Sequence, residues 1–118
     1  MAEKYLQIVQ SNCKKGVRYT MKIGFLFSGQ GSQSVGMGKD LYENFTEIKK
    51  LYECAEKITG IDIAKISFDG PDVELNKTQN TQLAILIECL GISQILKKNG
   101  IIPDAMAGLS LGEYTALI

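Results

Sequence analysis

Apolar positions along the chain fall into a few distinct patterns. Ile23-Gly24-Phe25-Leu26-Phe27 is a short aromatic run, broken off by a glycine-rich stretch over 28–38. Its length favours a strand over a helix, and an unbroken apolar strand implies a parallel sheet covered on both faces. Over 45–59, Ile48, Leu51, Tyr52, Ala55 and Ile58 recur at helical spacing and mark one face, with Gly60 where a C-terminal cap belongs. Asp69-Gly70-Pro71-Asp72 is a turn. Over 81–96, Leu83, Ala84, Ile85, Leu86, Ile87, Leu90, Ile92, Ile95 and Leu96 lie nearly all round the wheel. Such a helix is buried on most sides, and it ends at Lys97-Lys98-Asn99-Gly100. Small residues at 104–107 then form a second short strand, and another helical pattern opens. This order is the opening of an α/β domain, in which two strands alone leave open edges and give the long helix too few partners.

The first twenty residues stand apart, with four basic side chains against one acidic and no apolar core of a signal peptide. A short helix using Leu6, Val9 and Cys13 fits the spacing there. The expected organisation is a flexible N-terminal extension over 1–20 and a folded part over 21–118.

Composition narrows the function classes. Thirteen basic residues balance thirteen acidic ones, so net charge offers no argument for nucleic acid or an anionic membrane surface. No apolar run approaches the roughly 18 residues of a membrane span. Cys13, Cys54 and Cys89 are odd in number, widely spaced and in no CxxC pattern, which makes the reduced cytoplasm the default compartment. Cys54 and Cys89 fall within helical apolar patterns and are expected to pack rather than react. The lysine pairs at 14–15, 49–50 and 97–98 suit solvated faces and helix ends. The chain contains no histidine, which excludes a complete Ser-His or Cys-His machine and any imidazole zinc site within it.

Gly108-Leu109-Ser110-Leu111-Gly112 is GxSxG between a predicted strand and a predicted helix. A nucleophilic serine needs this spacing, because it must project from a sharp turn whose flanking residues come too close together for side chains. Gly108 and Gly112 are thus the structural elbow, and Ser110 is the candidate nucleophile. The loop over 28–38 invites comparison with phosphate-binding loops, but Met37 follows Gly36 where a lysine is required, and Ser34 stands where GxGxxG requires its third glycine. What remains is a backbone able to approach a ligand closely, with Gln30 as an amide handle.

FLFSGQGSQSVGMG at 25–38, LNKTQNTQLAIL at 75–86 and AGLSLGEYTAL at 107–117 together resemble the malonyl-CoA:acyl carrier protein transacylases of fatty-acid synthesis. The resemblance covers 21–118. It implies the N-terminal part of an α/β-hydrolase-like acyltransferase core, a short parallel sheet flanked by helices, truncated after the elbow and without the family's ferredoxin-like subdomain. By the same resemblance Ser110 is acylated by malonyl-CoA, Gln30 and Leu111 give backbone N–H groups to the oxyanion hole, and Gln82 lines the cleft. The implied partners are malonyl-CoA, acyl carrier protein and the missing C-terminal part of the enzyme; no metal or redox cofactor is implied, the coenzyme A thioester being substrate.

Three departures stand out: Leu109 where the family usually has histidine, Ser28 where it has proline, and Leu83 in place of a common proline. The family's general-base histidine, and the arginine that pairs with the malonyl carboxylate, would fall after Ile118. Arg18 is the only arginine here. The chain by itself is therefore expected to have little or no transacylase activity. Two other readings stay open: part of an α/β-hydrolase-type esterase, and a non-catalytic truncated fragment that retains only binding.

Overall fold

In the computed structural model of the protein, residues 22–118 are described. The expected extension over 1–20, with its short helix and Cys13, lies outside them. The elements run β1 (Gly24–Phe27), α1 (Lys39–Asn44), α2 (Thr46–Thr59), α3 (Ile63–Asp69), α4 (Asp72–Leu75), α5 (Thr78–Lys98), β2 (Ala105–Gly108) and α6 (Gly112–Ala116).

β1 and β2 pair in parallel, from Gly24 opposite Ala105 to Phe27 opposite Gly108. Asp104 sets the start of the pairing, its carboxylate accepting from the Ile23 N–H at 2.7 Å and its own N–H donating to the Ile23 carbonyl at 2.7 Å. A parallel pair in this register brings the C-terminal ends of both strands to one edge. The glycine-rich loop leaving Phe27 and the bend leaving Gly108 therefore emerge side by side. Ligand sites of open α/β sheets form at such an edge.

The expectation of a sheet covered on both faces is corrected. Phe25 and Phe27 are buried, with their rings edge to face at 6.3 Å, but Leu26 between them is 84% exposed and all of β2 except Gly108 is exposed. An unbroken apolar run records that both faces suit burial; it does not supply the residues that cover the second face.

The core lies among the helices. Ile48 and Tyr52 of α2 meet Ile63, Leu75 and the α5 residues Ala84, Ile87 and Ile95. Tyr42, Tyr52 and Phe68 form an aromatic cluster with ring centroids 5.1 to 5.5 Å apart. α2 follows its apolar period through Ala55 and stops at Gly60, whose φ of 70° suits a residue without a Cβ and whose N–H reaches the Glu56 carbonyl at 2.7 Å. Two assignments on this helix are corrected. Ile58 is 78% exposed, because the core contact ends a turn earlier. Cys54 is exposed, lying about 200° round the helix from inward Tyr52.

α5 begins three residues before the predicted start. Its first turn is held by buried polar side chains: Thr81 Oγ1 donates to the Leu75 carbonyl at 2.5 Å and Asn80 Nδ2 to the Glu74 carbonyl at 2.8 Å. These bonds satisfy carbonyls at the end of α4 and fix where α5 starts. Midway along α5, any Cβ at Gly91 would overlap Ile48 Cδ1, so the glycine lets α2 pack against this helix. At its far end Lys98 pairs with Glu47 of α2. Among the described residues no helix is long and apolar enough to cross a membrane.

Candidate active site

The bend between β2 and α6 occupies three residues. Ser110 has φ 52°, the left-handed region, and is the one non-glycine residue with positive φ among those described. Such backbone costs a side-chain-bearing residue of the order of 1–3 kcal/mol and persists only where its surroundings hold it. Here the surroundings are hydrogen bonds within and beside the bend: Leu109 N–H to the Phe27 carbonyl at 3.1 Å, Gly112 N–H to Leu109 at 3.0 Å and Glu113 N–H to Ser110 at 3.0 Å. A Cβ at Gly108 would overlap the Gly112 carbonyl group. One at Gly112 would overlap the Phe27 carbonyl and stand 2.8 Å from the Ser28 oxygen. Both glycines are spatial requirements, and Gly112 seats the bend against β1 as well. The Ser110 side chain is left at the surface.

The glycine-rich loop touches this bend. Gly29 is buried, and a Cβ on it would stand 2.6 Å from the Leu109 carbonyl oxygen and 3.6 Å from Ser110 Cβ. Polar side chains shape the loop: Gln33 Oε1 accepts from the Gly31 N–H at 2.8 Å, while its Nε2 donates to Asn76 Oδ1 at 2.7 Å. Ser32 Oγ lies 3.0 Å from both the Gly29 carbonyl and Ser28 Oγ. The loop is thus anchored to the segment before α5, which also carries Gln82. Gly29, Ser32, Gln33 and Asn76 were not singled out from sequence. The available signal was the concentration of small polar residues in the two motifs, which has no meaning until the 43-residue separation of Gln33 and Asn76 is closed.

Between these segments lies an open cleft of about 780 Å³. Gln30, Gln82, Ser110 and Leu111 all line it, together with Leu83, Leu86, Glu113 and Tyr114. Four predicted site residues from three separate motifs therefore share one cavity, while Gly108 and Gly112 support the bend. Hydrogen bonding in the first turn of α6 starts with the Gly112 N–H; no acceptor among the described residues takes the N–H of Leu111 or of Gln30. The charge on the lining is the Glu113 carboxylate, with no cation among the described residues there. Nearby, Cys89 Sγ is 4.0 Å from Ser28 Oγ, and burial pushes its thiol pKa up, which keeps it protonated at neutral pH rather than a thiolate. No group of three His, Cys, Asp or Glu residues suited to a metal ion occurs among the described residues.

A model of the acyl transferase domain family matches residues 24–118. The malonyl CoA-acyl carrier protein transacylase of Bacillus subtilis (strain 168) is 44% identical over 97 residues, which are 82% of this chain and 31% of that protein. Among solved structures, the malonyl CoA-acyl carrier protein transacylase of Clostridium perfringens superposes with a TM-score of 0.77 at 46% identity, over 83% of this chain and 31% of that one. A malonyl-transacylase solved in complex with its type II polyketide-synthase acyl-carrier protein gives 0.78 at 39% identity, over 82% and 32%. The chain spans about a third of the length of these relatives.

Proposed function

The chain belongs to the acyl transferase domain family, and from that premise we propose that it supplies the nucleophile and the oxyanion donors for moving a malonyl group from malonyl-CoA to the phosphopantetheine thiol of acyl carrier protein. The observation that carries the proposal is the contact between the two bends, with Ser110, Gln30 and Leu111 on one cleft.

Ser110 Oγ attacks the thioester carbonyl, and the negative charge that develops on the carbonyl oxygen is taken up by the N–H groups of Gln30 and Leu111. Fixed donors of this kind are aimed before the reaction and need no reorganisation during it. Collapse of the tetrahedral species breaks the C–S bond, releases coenzyme A and leaves a malonyl ester on Ser110. The carrier-protein thiol then attacks that ester through the same oxyanion site, and the Ser110 oxygen is reprotonated as it leaves. The serine proton needs a base, for which an imidazole is the usual group, and the sequence contains no histidine. The remainder of the domain therefore supplies it. Choice of a carboxylated acyl group likewise needs a cation, and the described part of the cleft offers only Glu113.

The test is a single-chain hybrid in which residues 1–118 are continued by the segment of the Bacillus subtilis transacylase that follows its matching region. The hybrid is expected to transfer malonyl groups to acyl carrier protein, followed by the carrier's intact mass, and Ser110→Ala is expected to abolish transfer. Transfer that survives Ser110→Ala, or a folded hybrid with none, overturns the proposal.

A further inference from the structure

The peptide that joins Gly29 to Gln30 has its two polar ends in different surroundings. Its carbonyl, on Gly29, accepts from Ser32 Oγ at 3.0 Å. Its N–H belongs to Gln30, which lines the cleft with Ser110. The same Ser32 Oγ is 3.0 Å from Ser28 Oγ, and Ser28 Oγ is 4.0 Å from Cys89 Sγ. A serine hydroxyl has one proton, and a carbonyl oxygen can only accept. Ser32 Oγ is the donor in both of its contacts, so its one proton is shared between the Gly29 carbonyl and Ser28 Oγ, and Cys89 Sγ lies beside Ser28 Oγ.

Gly29 itself is closely seated as well. Gly29 lies against the Leu109 carbonyl so closely that a Cβ would stand 2.6 Å from that oxygen. The one cis peptide among the described residues is Gly70-Pro71, so the bond between Gly29 and Gln30 is trans. In a planar trans peptide the C=O and N–H point in opposite directions, and holding one end aims the other.

We infer that Ser32 is a positioning residue for acyl transfer: by holding the Gly29 carbonyl it aims the Gln30 N–H at the oxyanion position. The inference rests on the reading of the Gln30 N–H as an oxyanion donor. Ser32 itself touches no reacting group. A carbonyl that accepts a hydrogen bond also polarises the N–H of its own peptide, which strengthens the donor.

The first arm of the test uses the full 118-residue chain, isotopically labelled, for NMR. Ser32→Ala is expected to move the Gly29 carbonyl carbon and the Gln30 amide proton upfield while the amides of Tyr52 and Ile87 in the core stay in place. Ser32→Thr, which keeps the hydroxyl, is expected to restore both signals. Unmoved Gly29 and Gln30 signals in Ser32→Ala overturn the inference. The second arm uses the hybrid enzyme. There Ser32→Ala is expected to lower kcat about tenfold, the scale of one hydrogen bond, at unchanged KM for malonyl-CoA, with recovery in Ser32→Thr. An unchanged kcat in Ser32→Ala, with the parent hybrid active, overturns this inference alone. A folded parent hybrid that transfers nothing overturns the oxyanion reading and the inference with it.

Discussion

Ser110 keeps a left-handed backbone, and the contribution proposed for Gln30 is its main-chain N–H rather than its side chain; together they set what substitution at each is expected to do. The proposed role of Gln30 belongs to its N–H, which every residue except proline has. In the hybrid enzyme Gln30→Ala is therefore expected to cost transfer only about threefold, through lost cleft contacts. Gln30→Pro, lacking the donor, is expected to lower kcat by roughly 10²–10³-fold. Steady-state transfer to acyl carrier protein separates the cases, and equal losses in the two variants would place the contribution in the side chain. At this scale the GxSxG spacing was legible, since strand, bend and helix are adjacent in sequence. Gly29, Ser32 and Gln33 were not. Gly29 meets Leu109 and Ser110, some 80 residues on, and Gln33 bonds Asn76, and nothing local to the loop announces those neighbours. The bonds of Ser32 stay within the loop, but what they hold in place is set only by where Gly29 lies against the bend.

Among the elements, α2 and α5 carry the core, and their contact depends on Gly91. Within a helix a glycine is unfavourable by roughly 0.5–1 kcal/mol relative to alanine, so elsewhere on α5 the exchange would stabilise. At this position the new Cβ meets buried Ile48. Gly91→Ala is expected to destabilise the chain by about 1–3 kcal/mol. Combining it with Ile48→Val, which removes the opposing methyl, is expected to recover part of that loss. Chemical denaturation of the full chain monitored by circular dichroism measures both, and strictly additive losses would exclude the contact as the cause.

The same helix carries Glu88, whose carboxyl is raised above its ordinary 4.5 by burial first and by the neighbouring Asp40 carboxylate second. A carboxyl with a raised folded pKa binds its proton more tightly in the folded chain than in the unfolded one. Its contribution to stability is therefore complete below the ordinary value and is lost as pH rises through the folded value. Thermal unfolding between about pH 4 and pH 7 is expected to show a smaller decline in Glu88→Gln than in the unaltered chain, with the variant the more stable at neutral pH. Parallel profiles would contradict this. Elements legible from sequence were the long, periodic ones. α1, α3 and α4 are too short to repeat an apolar face, and α3 is marked chiefly by its cap, where Asp62 accepts from the Lys65 N–H at 3.0 Å. Ile58 is exposed because position within an apolar pattern does not say where the opposing helix ends, and Cys54 because it lies within the apolar stretch but on the far side of the helix from Tyr52.

For the molecule as a whole, the parallel register of β1 and β2 is the organising fact. It places two bends, separated by most of the chain, at one sheet edge and lets α5 bring Gln82 to the same cleft. It also leaves Leu26 and most of β2 exposed, a face that the remaining two-thirds of the relatives' length is proposed to cover. The order of elements was legible as an α/β opening because strand and helix periods alternate clearly. The covering of only one face was not, since it depends on residues other than these. The isolated chain is expected to malonylate itself several orders of magnitude more slowly than the hybrid, because a serine without its base is a weak nucleophile.

The most direct test is to quench the hybrid after brief exposure to malonyl-CoA, with acyl carrier protein withheld, and to locate the acyl group by peptide mass spectrometry. One malonyl ester per chain, on Ser110, discharged when acyl carrier protein is added, is the result predicted; an unmodified Ser110, or a malonyl group that stays on the protein after carrier is supplied, would contradict it.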